Sequence, residues 1–442
     1  MTIRLTLVAL VAAAAAAAPA SAAGPVPLLA SRTVQDVAVA GPDVVVARVG
    51  SLGTVRVDAL PAGGGPVRSL LRTAPSGELV DAFTAVAASP QRVALVAVFE
   101  SLSGGTTFRL YTGPPSGPLV EQPRDPAGAP IDVAVDGDRV LVLESEREIA
   151  RLRLLVPGAA PRTVPLSSPP TGSFAFAGDR VAYLSDDGVV LADLSTGARL
   201  LSARADDPAS LDVAAGGRIL MDGDGIGVFT IMPSGLRQGV PDGQFLTNPH
   251  FAGDAIAALE ETSSDAARPV VLAPGALHPR PIGLPSASIE TVDADASGVA
   301  WIANGCVLYA TLDAVAPAEP PAGPCARAEV AVDNASFTLR GRRLRLVADC
   351  IAATAAGCDG MVTVRRHGIA GRGAFHAAAG KRSRFDMRFT RRSVRILRRK
   401  ARGEKTAFLE LTTRLAGGGR PAHDVEVFVD RVRRGAGRSA RR

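Results

Sequence analysis

The 442 residues predict an all-β protein: a seven-bladed β-propeller followed by a small antiparallel β-sandwich. Three observations carry that expectation. One strand-turn-strand phrase recurs seven times before residue 305, apolar residues run on with no sustained helical spacing, and the charge reverses past a Pro-rich stretch at 316–326.

The recurring phrase is a short apolar run, a tight turn and a second apolar run. It reads VAVAGPDVVVARV from Val37, VAASPQRVALVAV from Val86, VAVDGDRVLVLES from Val133 and FAFAGDRVAYLSD from Phe174. It continues as DVAAGGRILMDGD from Asp212, HFAGDAIAALEE from His250 and VDADASGVAWIAN from Val292. Val, Ile, Leu and Ala flanking turns of Gly, Asp, Pro or Ser make each copy a β-hairpin. Weak alternation is expected of strands covered on both faces. A further strand follows most copies, among them TVRVDAL at Thr54, TTFRLYTG at Thr106 and CVLYATLDA at Cys306. The period of about 37 to 49 residues suits a four-stranded propeller blade. Stacking blades around an axis covers faces that a single sheet leaves open, and closing the ring removes exposed edges. PVPLLAS, ahead of the first copy, is placed to complete the last blade. A tandem of β-sandwiches is the alternative, and seven hairpins in succession argue against it.

Five segments are expected: a signal peptide at 1–23, the propeller at 24–315, a linker at 316–326, a basic sandwich at 327–432 and a disordered basic tail at 433–442. The start combines Arg4, an apolar stretch from Leu5 to Ala18 and small residues at Ala20, Ser21 and Ala22, the layout of a secretory signal. That stretch is too short, too alanine-rich and too early broken by Pro19 for a membrane span, so no transmembrane span is expected once the signal is removed. The expected location is secreted or associated with the cell envelope. The body, roughly 420 residues, exceeds one ordinary core, which fits a repeat array plus a second domain. From Arg327 onward 28 Lys and Arg face 10 Asp and Glu, a balance of +18, while everything before carries −12.

The propeller part resembles exported bacterial β-propellers with WD40-like or TolB-like blades, through phrases such as FAFAGDRVAYLSDDGVVLADLSTGARLL. The Gly-His and Trp-Asp marks of eukaryotic WD40 blades are absent. Past the linker, SFTLRGRRLRLVADC, GMVTVRR, RSRFDMRFT, TAFLELTTRL and HDVEVFVDRV read as strands. RRSVRILRRKARG, with Val394, Leu397 and Ala401 at helical intervals, reads as one or two helical turns. This half resembles an immunoglobulin-like domain appended to exported proteins of high-GC bacteria, in which a Cys pair brackets a loop after an early strand and an Arg-rich turn precedes a late one. The resemblance implies no activity.

Four cysteines in an exported chain imply two disulfides, and local pairing of Cys306 with Cys325 and Cys350 with Cys358 is expected because each pair brackets a Pro- or Gly-containing loop. A zinc site is the alternative, but the spacings match no common ligand pattern. Arg391, Arg392, Arg395, Arg398, Arg399, Lys400 and Arg402 form a candidate patch for an anionic envelope polymer, against the plainer reading of a solvated face. Docking of this basic half on the acidic propeller is a third option. No nucleic acid partner is expected, because aromatics do not interleave with the arginines.

Asp222 and Asp224 in LMDGDGIGVF have a fragment of calcium-loop spacing, and LSDDGVV from Leu184 a fragment of an Asp-box; turn chemistry suffices for both. The histidines His250, His278, His367, His376 and His423 are scattered singly, with no HExxH motif, GxSxG elbow or SxxK pair. Trp301 reads as core. No cofactor or metal is expected. The reading is a monomeric, non-enzymatic binding or scaffolding protein whose partner is an unknown protein or an anionic envelope polymer, with ligand loops sought at Gly113 to Pro130 and Glu260 to Pro269. A propeller hydrolase or lyase is the alternative, and it requires carboxylates from different blades to converge in the central channel.

Overall fold

The computed structural model describes residues 24–433 except 319–328 and shorter internal stretches of one to six residues. Residues 1–23, where the signal peptide is expected, Asp224, Cys325, His367, His423 and residues 434–442 lie outside the described residues.

Seven four-stranded antiparallel sheets come first. Their innermost strands are Val34–Ala40, Leu79–Ala88, Ala129–Asp136, Phe174–Ala177, Pro208–Val213, Leu246–Ala252 and Ile289–Asp295. Each contacts the next, and the last contacts the first, so the sheets close a ring. Numbered in chain order, sheets 1 to 6 are meanders; sheet 7 takes its outermost strand, Val26–Ala30, from the start of the described chain, pairing it with Cys306–Ala310. This N-terminal strand fastens the ring.

The inner hairpins turn where the sequence places glycine. Gly41, Gly137, Gly178 and Gly253 open two-residue loops with φ of 63°, 60°, 57° and 64°, a region that only glycine enters freely.

The unbroken apolar runs now have a physical cause. One buried cluster fills each junction between neighbouring sheets, seven in all around the ring. Alternate residues of one strand serve different junctions: Val45 and Ala47 pack toward sheet 2, Val44 and Val46 toward sheet 7. Both faces must therefore be apolar, at about 1.5–3 kcal/mol for each large side chain fully buried. Trp301, 1% exposed, anchors the junction between sheets 6 and 7. Two buried acids sit within the sheets, each held by arginines: Asp58 by Arg48 and Arg56, and Glu144 by Arg151 and Arg153.

The basic half, Glu329–Arg433 among the described residues, is a ten-stranded sheet in which eight strands follow one path and Thr338–Arg340 and Arg431–Arg433 pair beside it. The path curls: Glu329–Asn334 near one end contacts Val425–Val429 at the other, and all of it encloses one core. Cys350 and Cys358 form a disulfide that ties two of its strands. The Arg-rich segment is a 13-residue helix, α1 (Arg391–Gly403), which corrects the expectation of one or two turns. It is longer because Thr390 caps it, its Oγ1 accepting from the Ser393 amide at 3.1 Å, and because Val394 and Leu397 bury in the core.

One expected ligand loop is also corrected. Glu260 to Pro269 is not a loop but the end of a hairpin, with Glu260 opposite Arg268 and the two side chains paired at 2.6 Å. Its polar letters concealed a cross-strand ion pair. Gly113 to Pro130 does connect sheets 2 and 3, with the short outer strand Val120–Glu121 inside it.

Candidate functional site

Ring closure leaves the axial edge of every innermost strand without a strand partner, and a cavity of about 840 Å³ runs between these edges. Unpaired backbone N–H groups there must find acceptors. Carboxylates one sheet away supply them. Asp36 in sheet 1 accepts from the Val37 amide at 2.9 Å and from the Val86 amide in sheet 2 at 2.8 Å. Asp212 in sheet 5 accepts from Val213 and from Phe251 in sheet 6, both at 2.7 Å. Asp293 in sheet 7 accepts from Val39 in sheet 1 at 2.6 Å, and Asp295 from Gly41 at 2.8 Å. Asp136 joins sheet 3 to Gly178 of sheet 4 at 2.9 Å, and the Ser89 hydroxyl donates to the Gly137 carbonyl at 2.5 Å. Each is a polar clasp from one sheet to the next.

Register adds an asymmetry. At one level of the ring, equivalent positions hold Ala38, Ala87, Ala134 and Ala175 on sheets 1 to 4, then Asp212, His250 and Asp293 on sheets 5 to 7. At this level one flank of the channel is thus alanine and the other carries titratable side chains. His250 Nδ1 lies 3.6 Å from Asp293 Oδ1. Asp36 and Asp132 stand one level away.

Burial dominates the electrostatics. It raises the Asp36 carboxyl to about 7, against the pull of its two amide donors and with the help of repulsion from Asp293 and Asp132. Burial likewise raises Asp132, Asp212 and Asp293, while the nearby His250 pulls the last two back. These acids retain some exposure because the channel admits water from its ends, which moderates the effect. No lysine or arginine lines the cavity among the described residues.

Both oxygens of Asp36 and of Asp212 already accept backbone N–H groups, which commits these carboxyls to holding neighbouring sheets together. What remains is a negative, partly apolar channel with Phe174, Phe176 and Phe251 on its wall.

The residues singled out from sequence lie elsewhere. Cys306 sits at the start of the strand that pairs with Val26–Ala30, on the outer side of sheet 7. Asp222 is not a turn residue: it is 4% exposed and accepts from the Ser210 amide at 2.7 Å and the Asn248 amide at 2.8 Å, another clasp between sheets 5 and 6. Arg391 to Arg402 lie on α1, in the basic half. Sequence reasoning missed the channel acids individually, although they carry a signal: Asp36, Asp132 and Asp212 each open an Asp-Val-Ala triplet on an innermost strand.

No protein-family model and no curated protein matches the chain. Solved structures match in fold. The β-propeller domain of the Trilobed protease from Pyrococcus furiosus, described as having an open velcro topology, is 9% identical with a TM-score of 0.43, over 64% of this chain and 92% of that one. The WD40 domain of SCAP from fission yeast is 11% identical with a TM-score of 0.34, over 64% and 83%. Oligopeptidase B from Trypanosoma brucei is 14% identical with a TM-score of 0.33, over 58% and 48%.

Proposed function

We propose that the protein is an exported, non-enzymatic binding or scaffolding protein whose propeller is an interaction platform, with its ligand taken at the mouth of the central channel. The observation that carries this reading is the occupation of both oxygens of Asp36 and Asp212 by backbone donors, which makes the convergent acids structural clasps. The mature chain starts near residue 24, and the Pro-rich linker at 316–326 joins the propeller to an immunoglobulin-like module that also seeks an anionic envelope polymer. Cys306 and Cys325 pair beside that linker.

The test is photo-cross-linking in the producing cell from channel-rim positions Gln91 and Ala296, with Val120 on an outer strand as control. A recurrent adduct from the two rim positions alone supports the reading. Equal labelling from all three contradicts it.

A hydrolase or lyase is the second reading, favoured by the Asp212, His250 and Asp293 set with its raised carboxyls. It requires turnover of an ester, peptide or glycoside that His250→Gln abolishes while leaving the melting temperature in place.

A further inference from the structure

A second site lies in the basic half and does not depend on what the channel binds. A groove of about 390 Å³ is lined by Gly341, Arg342, Arg391, Val394, Arg395 and Arg398. Arg391, Arg395 and Arg398 stand at i, i+4 and i+7 on α1, one stripe of the helix, advancing about 6 and then 4.5 Å along its axis. Arg342 faces them from the turn between Arg340 and Arg343, where Gly341 has φ of 64°. Its Nε donates to the Phe389 carbonyl at 2.7 Å, and the Phe389 amide donates back to the Arg342 carbonyl at 2.9 Å, so the turn is fixed against the strand leading into α1. The helix is fixed too: the Ser393 hydroxyl bridges the Ala370 amide and carbonyl at 2.8 and 3.0 Å, and Leu397 is fully buried.

Elsewhere in this half three carboxylates are paired with other cations, Asp386 with Arg343 and Arg345, Asp349 with Arg382 and Asp359 with His376. Among the described residues no carboxylate pairs with the groove arginines. Like charges at i and i+4 oppose helix formation, and so does Arg391 at the positive end of a helix whose first turn holds no acid. A helix selected only for packing would avoid both penalties, whereas a bound polyanion cancels both. The other arginines of the segment stand apart: Arg392 and Arg399 are exposed but do not line the groove.

We propose that Arg342, Arg391, Arg395 and Arg398 form a binding site for a linear phosphodiester polymer of the polyol-phosphate kind. Planar guanidinium forks match phosphate oxygens, and a stripe of three along a helix matches repeated single charges. The floor offers Val394 and Gly341 and no aromatic ring for base stacking, which selects a polyol chain over nucleic acid.

The experiment titrates the mature full-length protein with poly(glycerol phosphate) at several salt concentrations, beside oligo(dT) of equal phosphate number. Arg391→Gln/Arg395→Gln/Arg398→Gln is compared with Arg365→Gln/Arg372→Gln/Arg384→Gln, which removes equal charge from exposed positions on the sheet. The expected result is that the groove variant loses affinity about tenfold or more in low salt and its log–log salt slope falls by about 2, at roughly 0.7 per lost phosphate contact. The sheet variant keeps most of both. Arg342→Gln, which leaves the helix untouched, lowers the slope by about 0.7 and covers the case in which the triple variant does not fold. Equal losses in the two triple variants, an unchanged slope in Arg342→Gln, or tighter binding of oligo(dT) than of poly(glycerol phosphate) each overturns the proposal.

Discussion

The channel acids make a quantitative prediction about pH. Asp36 is raised from 3.8 to about 7 in the folded chain, chiefly by burial. The folded state therefore takes up a proton at a pH where the unfolded state has already lost it. The stabilisation is full below the unfolded value near 4 and disappears as pH rises through about 7. Three units at about 1.4 kcal/mol each give a ceiling of about 4 kcal/mol, and water entering the channel lowers the realised figure. Asp132, Asp212 and Asp293 act with the same sign. The assay is urea unfolding at pH 5, 6, 7 and 8, followed by fluorescence of the single tryptophan, Trp301, which reports on the propeller from the junction of sheets 6 and 7. Asp36→Asn isolates the group. Its amide keeps one acceptor but sets an NH₂ against a backbone N–H, so the variant is less stable at pH 5 by about 1–3 kcal/mol. The deficit must shrink as pH rises to 8, because only the wild type then carries the buried charge. A deficit that is constant from pH 5 to 8 refutes the reasoning.

Two other predictions concern stability. Glu144 is fully buried between Arg151 at 2.9 Å and Arg153 at 2.6 Å, so Glu144→Ala leaves a buried guanidinium uncompensated and costs about 3–5 kcal/mol in the same unfolding assay. Cys350→Ser/Cys358→Ser opens a link across a sequence separation of 8, costing about 2.5 kcal/mol, and lowers the melting temperature of the basic half while the Trp301 signal stays in place.

The inner hairpins were legible because both runs are apolar and each turn carries Gly, Pro, Asp or Ser, as in Ala40-Gly41-Pro42-Asp43. The outer strands were not. Val120–Glu121 and Arg162–Thr163 are two exposed residues each, too short to leave a pattern in composition. The helix was legible in place but not in length, since Arg392, Arg395 and Arg399 face outward and mask the stripe that Val394 and Leu397 bury. The channel was hidden for a different reason. Asp36 and Asp293 are 257 positions apart in the numbering, and only closure of the ring brings Asp293 of sheet 7 to the Val39 amide of sheet 1. Glu260 and Arg268 misled because a polar run at a hairpin end reads like a loop.

Closure of the ring by the N-terminal strand underlies the channel, its clasps and the proposed binding role, and a designed disulfide tests it most directly. Pro27 lies opposite Leu308, both half-buried. Mild oxidation of Pro27→Cys/Leu308→Cys, followed by non-reducing peptide mapping, is predicted to give an intramolecular link between positions 27 and 308 beside the Cys350–Cys358 disulfide, with a raised melting temperature. Free thiols at both positions under those conditions, or links formed only between molecules, would contradict a ring fastened by that strand.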